Sequence, residues 1–179
     1  MSNDQSAVTT DDRSMSGGDR PAPDIQVFRI YIEAPAQRVW DAITSPEFSV
    51  KYGYGGEVQI DLRPDGAYRN LTTAQMREMG MGDVAATGRV IEADPPRRLV
   101  HTWVAAWHNE ETTLTWDLQD YSGSLTCLTL THDCTGAQNT ARDVEGTGDA
   151  NMGGGGWPWV LASIKTLLET GHPMVGAGA

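Results

Sequence analysis

From residue 26 onward, apolar residues recur at every second position. In QVFRIYIEA, Phe28, Ile30 and Ile32 share one face and Val27, Arg29, Tyr31 and Glu33 the other, the signature of a half-buried strand. EVQIDL sets Val58, Ile60 and Leu62 on one side, Pro64-Asp65-Gly66 turns the chain, and AYRNL returns to close a hairpin. TGRVIEA, RRLVHTWVAAW, TTLTWDL and SLTCLTLTH predict further antiparallel strands, with turns at Asp94-Pro95-Pro96 and Tyr121-Ser122-Gly123. The period changes in two places. APAQRVWDAITSPE puts Val39, Trp40 and Ile43 on one helical face, and Ser45-Pro46 ends that helix and opens a second short one. GWPWVLASIKTLLETGHP predicts a helix from about Trp157 to Thr170. Trp157, Leu161, Ile164 and Leu168 form its stripe, and Gly171 and Pro173 its stop.

One long helix after a run of strands has only the sheet on which to bury its stripe. A sheet curled around a single helix leaves a gap, and that gap is a ligand pocket. The pattern predicts one α+β domain over 25–174. A Ser-, Asp- and Gly-rich stretch at 1–24 is expected to be disordered, and 175–179 to be a flexible tail. Two stretches carry no clear apolar period. Residues 72–86 contain Met76, Met79 and Met81, and 133–156 end in four glycines, Gly153 to Gly156. Each is a candidate lid; the plainer alternative is a loop with some local packing, and for the glycine run a hinge.

Composition narrows the partners. The net charge of −11 over 179 residues argues against nucleic acid and against an anionic membrane surface, since both need a basic face. No run of 18 apolar residues offers a membrane span and no apolar segment near the start resembles a secretory signal, so a cytoplasmic location is expected. Cys127 and Cys134 have neither disulfide-framework nor metal-site spacing and are expected to be unpaired thiols. His132-Asp133-Cys134 is dense in metal-ligand types, but neighbours on a strand face opposite ways, so no metal site is expected. No cofactor fingerprint is present: there is no GxGxxG opening a helix, no Walker loop and no GxSxG.

The element order resembles the helix-grip fold of the SRPBCC (START-like) superfamily, in which a curved antiparallel sheet of about seven strands wraps a long C-terminal helix and two short helices follow the first strand. Within it the chain resembles the branch named for homologues of the heat-shock-protein ATPase activator. The matching pieces are EAPAQRVWDAITSPE (33–47), DLRPDGAYR (61–69), GRVIEADPPRRLVHTW (88–103), LTLTH (128–132) and GWPWVLASIKTLLETG (156–171). The resemblance implies an apolar cavity between sheet and long helix. It implies no single activity, because relatives include lipid carriers, hormone receptors and polyketide cyclases. Chaperone activation belongs to members with an additional domain that this sequence does not carry. The branch usually has an apolar residue where His101 stands, so that position is a departure.

Strand alternation places Leu99, His101 and Trp103 on one face, Leu114, Trp116 and Leu118 on another strand's matching face, and Thr126, Leu128, Leu130 and His132 on a third. The apolar members mark this as the concave side, so both histidines point inward. An inward imidazole is a candidate general acid or base; the plainer reading is a core histidine hydrogen-bonded to a neighbour. The expected ligand contacts are Tyr52, Tyr68, Leu99, His101, Trp103, Trp116, Leu118, Leu128, Trp157 and Leu161, and the abundance of indole and phenol rings, Trp40 and Trp107 included, suits a flat guest. The expected role is to bind an apolar, aromatic or polycyclic small molecule. One alternative is a cofactor-independent cyclase, lyase or isomerase using His101 and His132. Another is a protein-interaction module. A homodimer is left open. The hairpin tip Trp107 to Glu111 is read as a solvated turn, with the pocket mouth as the competing assignment.

Overall fold

The computed structural model describes residues 20–150 and 153–176. Residues 1–19, most of the expected leader, and 177–179 of the expected tail lie outside the described residues. Seven strands form one antiparallel sheet in the order β1-β7-β6-β5-β4-β3-β2. They are β1 (Ile25–Ile32), β2 (Val58–Ile60), β3 (Ala67–Leu71), β4 (Val84–Asp94), β5 (Arg98–Ala105), β6 (Glu111–Tyr121) and β7 (Leu125–Asp133). Two short helices, α1 (Ala36–Thr44) and α2 (Pro46–Ser49), follow β1, and the long helix α5 (Gly156–Thr170) is the last element among the described residues. This is the α+β helix-grip architecture that the alternation and the terminal stripe predict.

The strand faces follow the alternation. In β1, Ile32 is buried and Phe28 and Ile30 are half-buried, while Val27, Arg29 and Tyr31 are exposed. Leu62 stands outside β2, which stops at Ile60, because the Pro64-Asp65-Gly66 turn begins to bend the chain at Asp61. The β6–β7 turn has positive φ at both Ser122 and Gly123, the left-handed pair that matches the twist of its strands.

Two helices arise where the sequence predicts only connections. α3 (Ala74–Glu78) lies in the methionine stretch, with the Thr73 hydroxyl accepting the Met76 N–H at its start. α4 (Gln138–Glu145) lies in the polar stretch before the glycines. Ala22, placed by the sequence in the disordered leader, is buried against Cys134, Ala137, Ala141 and Val144, and Asp24 accepts the Cys134 N–H. Cys127 and Cys134 are buried and unpaired.

The main core lies where α1 and α5 press on β1, β6 and β7. There Leu161, Ile164 and Leu167 of α5 share one buried cluster with Ile32, Leu128 and Leu130, while Leu168, placed on the stripe by its spacing, is only half-buried beside it. At its C-terminal end α5 is tied to the end of β1: Lys165 Nζ donates to the Tyr31 carbonyl at 2.6 Å, and the Glu33 N–H donates to Glu169 at 2.8 Å. The opposite side of the sheet, β3 to β5, lies beyond the main contacts of α5.

Gly88 of β4 pairs with Tyr68 of β3, and a Cβ there would collide with the Thr102 carbonyl oxygen of β5. Backbone cannot yield as a side chain does. Gly88→Ala is expected to destabilise the protein by about 2 kcal/mol and to lower Tm by about 6 °C, checked by thermal unfolding.

Candidate functional site

The uncovered side of the sheet forms the floor of a cavity of about 450 Å³. β3 contributes Tyr68 and Asn70, β4 Ala86, β5 Leu99, His101 and Trp103, and β6 Trp116. α5 roofs it with Trp157 and Val160, and Ile43, Tyr52 and Tyr54 close one side. Met76, Met81, Trp107, Asp143 and Val144 also line it, as do Ser49 and Val58 and three glycines of the run that leads into α5, Gly153, Gly154 and Gly156.

Of the ten residues expected to touch a ligand, Tyr52, Tyr68, Leu99, His101, Trp103, Trp116 and Trp157 line this space. Leu118, Leu128 and Leu161 do not. They sit in the packed core, because α1 and α5 close down on β6 and β7 there. His132 is fully buried but off the cavity wall, since the Trp103 and Trp157 rings stand against it at 5.6 and 5.9 Å.

Both histidines hold an indole N–H. Trp116 Nε1 donates to His101 Nε2 at 3.2 Å, and His101 Nδ1 lies 2.9 Å from the Thr102 carbonyl oxygen. An indole nitrogen only donates and a carbonyl only accepts, so His101 carries its proton on Nδ1. Trp157 Nε1 donates to His132 Nδ1 at 2.9 Å, and His132 Nε2 lies 2.8 Å from the Thr112 hydroxyl, which donates to the Trp103 carbonyl at 2.8 Å. His132 therefore carries its proton on Nε2, the opposite tautomer. Each imidazole is neutral and has both nitrogens engaged. Burial is the main cause that drives His101 from 6.5 down to about 4. Burial, then the nearby His101, drives His132 down to about 3. A second proton would also set two donors face to face at each indole.

The rings interlock around these bonds. Tyr68 stacks on His101 with centroids 4.3 Å apart, and Trp116 meets Trp157 edge-on at 5.6 Å. Trp103 also contacts Trp157, at 6.5 Å. Burial raises the Tyr68 phenol well above its ordinary range, against a hydrogen bond from Trp103. Burial likewise raises Tyr52, whose hydroxyl donates to the Ala42 carbonyl at 3.0 Å.

The model of the family described as activator of Hsp90 ATPase homolog 1-like protein matches residues 33–169. The chain belongs to that family. Among the solved structures that resemble it are the following three. CalU16 from Micromonospora echinospora is 25% identical over 60% of this chain and 59% of its own, with TM-score 0.46. DynU16, a protein in the dynemicin biosynthetic locus, is 23% identical over 84% of this chain and 49% of its own, with TM-score 0.61. An HSP90 activator from Plasmodium falciparum is 19% identical over 62% of this chain and 73% of its own, with TM-score 0.50. The chain thus spans little more than half of the CalU16 chain and about half of DynU16. The DynU16 and Plasmodium likenesses are evidence of fold alone. Among curated proteins none matches. Among the described residues, no helix of this Hsp90-activator-homologue-like protein is long and apolar enough to cross a membrane.

In this family member the β5–β6 hairpin tip is bound to α4 beside the cavity mouth, where the sequence predicts a solvated turn. Asp143 Oδ2 accepts Trp107 Nε1 at 2.8 Å and faces His108 Nε2 at 2.7 Å. Glu110 accepts the Thr140 N–H and the Asn139 amide, each at 2.9 Å, and these bonds hold its carboxyl below the usual range. Ala137 offers α4 no side-chain cap, so Glu110 supplies it from 30 residues away. The signal that could have located this contact was the density of acceptors and donors in the tip WHNEE.

Two outcomes follow. Long-range proton–nitrogen correlation spectra near neutral pH are expected to show His101 as the Nδ1–H tautomer and His132 as the Nε2–H tautomer. In the unfolded chain both would protonate near 6.5, so the unfolded state takes up protons first as pH falls. Their contribution is intact above about pH 6.5 and is lost as pH drops through that value toward 4, with His101 alone removing about 3 kcal/mol by then. Urea titrations across that window check it. Separately, Asp143→Ala is expected to weaken α4 by about 1 kcal/mol, seen as about fivefold faster amide exchange over residues 138–145.

Proposed function

We propose that this protein binds an apolar, aromatic or polycyclic small molecule in the cavity between sheet and α5. The observation that carries the reading is the wall: Tyr68, Trp103, Trp107, Trp116 and Trp157 border one space of about 450 Å³. Pockets of roughly 300–1,000 Å³ with mainly apolar linings hold small organic ligands. Flat rings gain offset and edge-on contacts with such walls beyond simple burial.

Binding has the stronger claim over catalysis. A cyclase, lyase or isomerase acting through His101 or His132 needs a nitrogen free to take or give a proton. All four ring nitrogens have partners within the protein. Catalysis by His101 would require Trp116 to leave Nε2. A chaperone-regulating module needs an outer docking surface and has no use for this interior.

Ala86 is 1% exposed and lies on the cavity floor. Ala86→Phe is expected to fill the space, weakening uptake of the fluorescent probe N-phenyl-1-naphthylamine by at least about tenfold while Tm changes little. Unchanged affinity would move the binding site elsewhere. Native mass spectrometry of protein from its source is expected to show a retained organic guest.

A further inference from the structure

The geometry points to the Tyr68 hydroxyl as the specificity-determining group of the cavity, selecting flat aromatic guests that carry a carbonyl oxygen. This rests on the small-molecule reading above and adds to it the polar chemistry of the guest.

Strand order and register place Tyr68. Its partner on β4 is Gly88, which has no side chain to stand in the way. The Tyr68 ring can therefore lie across β4 and stack on His101 of β5, with centroids 4.3 Å apart and planes at 27°. Both nitrogens of that imidazole are held, Nδ1 by the Thr102 carbonyl and Nε2 by the Trp116 indole, so the surface against which the phenol lies is fixed. Tyr68 is only 8% exposed and borders the cavity.

The other polar groups of the wall are engaged or turned aside. The Tyr52 hydroxyl donates to the Ala42 carbonyl, and the Tyr54 hydroxyl to the Gly153 carbonyl. Ser49 Oγ accepts the Val58 N–H at 2.8 Å. The indoles of Trp107, Trp116 and Trp157 are taken by Asp143 and the two histidines. Asn70 is half-buried, and its Oδ1 is sealed on the side of Gly56. The Trp103 indole offers its N–H to the Tyr68 oxygen, a loose contact that uses this oxygen as acceptor.

The Tyr68 proton is different: among the described residues it meets no protein acceptor. Nor is its oxygen sealed in. The unpaired side-chain atoms closed to water among the described residues are Gln26 Oε1, Asn70 Oδ1, Gln138 Oε1 and Thr140 Oγ1. Tyr68 Oη is not one of them, and the space that Tyr68 borders is the cavity. A donor left unused inside an aromatic box costs about 1–3 kcal/mol unless something in the box accepts from it.

The missing partner is thus an acceptor. A carbonyl oxygen accepts and brings no proton of its own. A hydroxyl can accept too, but its proton must then find an acceptor on a wall that offers mainly hydrocarbon. A carboxylate is disfavoured, because no Lys or Arg lines the cavity and the protein carries a net charge of −11. The Trp103 N–H directed at the Tyr68 oxygen polarises the phenol and makes it a better donor. The guest is therefore a neutral aryl carbonyl compound, its rings against the tryptophans and its oxygen at Tyr68.

The test compares 2-acetylnaphthalene with 2-ethylnaphthalene, which has the same shape and no acceptor, by displacement of N-phenyl-1-naphthylamine from the full chain. Tyr68→Phe keeps a ring against His101 and removes only the hydroxyl. The ratio of ketone to hydrocarbon affinity is expected to be about tenfold higher in wild type than in Tyr68→Phe. Retained 2-ethylnaphthalene affinity in the variant shows that its pocket is intact. In wild type, independently of any variant, the infrared carbonyl stretch of bound 2-acetylnaphthalene is expected at lower frequency than in hexane. The same ratio in both proteins, or a carbonyl stretch at its hexane position, overturns the role of Tyr68 and leaves the pocket reading standing. Failure of wild type to bind any of the three compounds overturns the small-molecule reading itself, and the role of Tyr68 with it.

Discussion

The hydrogen bond from the Trp157 indole to His132 sets how far the N-terminal end of α5 stands from the sheet. Trp157 is the second residue of the helix, and its ring is placed between helix and strands, edge-on to Trp116 and tilted against Trp103. It also belongs to both apolar clusters, touching the main core on one side and the α4 cluster on the other. At the far end, Lys165 and Glu169 bind the helix to the end of β1. A rigid helix tied at one end and propped on a pile of rings at the other cannot settle onto β3, β4 and β5. The cavity exists because of that prop.

The same bond explains why the interior tolerates two histidines. A neutral imidazole accepts at one nitrogen and donates at the other, so it can join an indole N–H to a carbonyl or hydroxyl across the core with no polar atom left over. A phenylalanine at either position would leave a tryptophan N–H buried without a partner. The opposite tautomers follow from register. The partner at His101 Nδ1 is the adjacent backbone carbonyl of its own strand, whereas His132 Nδ1 faces a helix across the interior. Inward histidines here organise the tryptophans that form the wall, and this role needs them uncharged.

Much of this was legible in the sequence, and the remainder has identifiable causes. The strands could be read because their alternation is local, and α5 because its stripe and glycine stop are local too. The inward placement of His101 and His132 followed from the same alternation. Their partners did not, since Trp116 is 15 residues from His101 and Trp157 is 25 from His132, and the pairings depend on strand register and helix position. α4 was hidden for a related reason. QNTARDVE has only Ala141 and Val144 as apolar anchors, and its first turn is capped by Glu110 of a distant hairpin. A helix whose stabilising groups lie elsewhere in the chain leaves little periodicity of its own. Leu118, Leu128 and Leu161 were assigned to the right face, but a face has a packed end and an open end, and only the seating of α1 and α5 tells them apart.

On the proposed small-molecule reading, the arrangement separates affinity from selection. The rings of Trp107, Trp116 and Trp157 are fixed by hydrogen bonds to Asp143, His101 and His132, so a guest would meet rings already ordered when the chain folds, and would cost little side-chain freedom on entry. Because the indole N–H groups are engaged, the wall offers mainly hydrocarbon, and flat molecules of similar area gain similar contact. Discrimination then falls to the residual polar chemistry of the wall. The contacts that tie the hairpin tip to α4 beside the cavity, through Asp143 and Glu110, lie partly in solvent and are correspondingly weak. A pocket built this way can change its guest through one or two wall residues without disturbing the Trp157 prop that keeps it open.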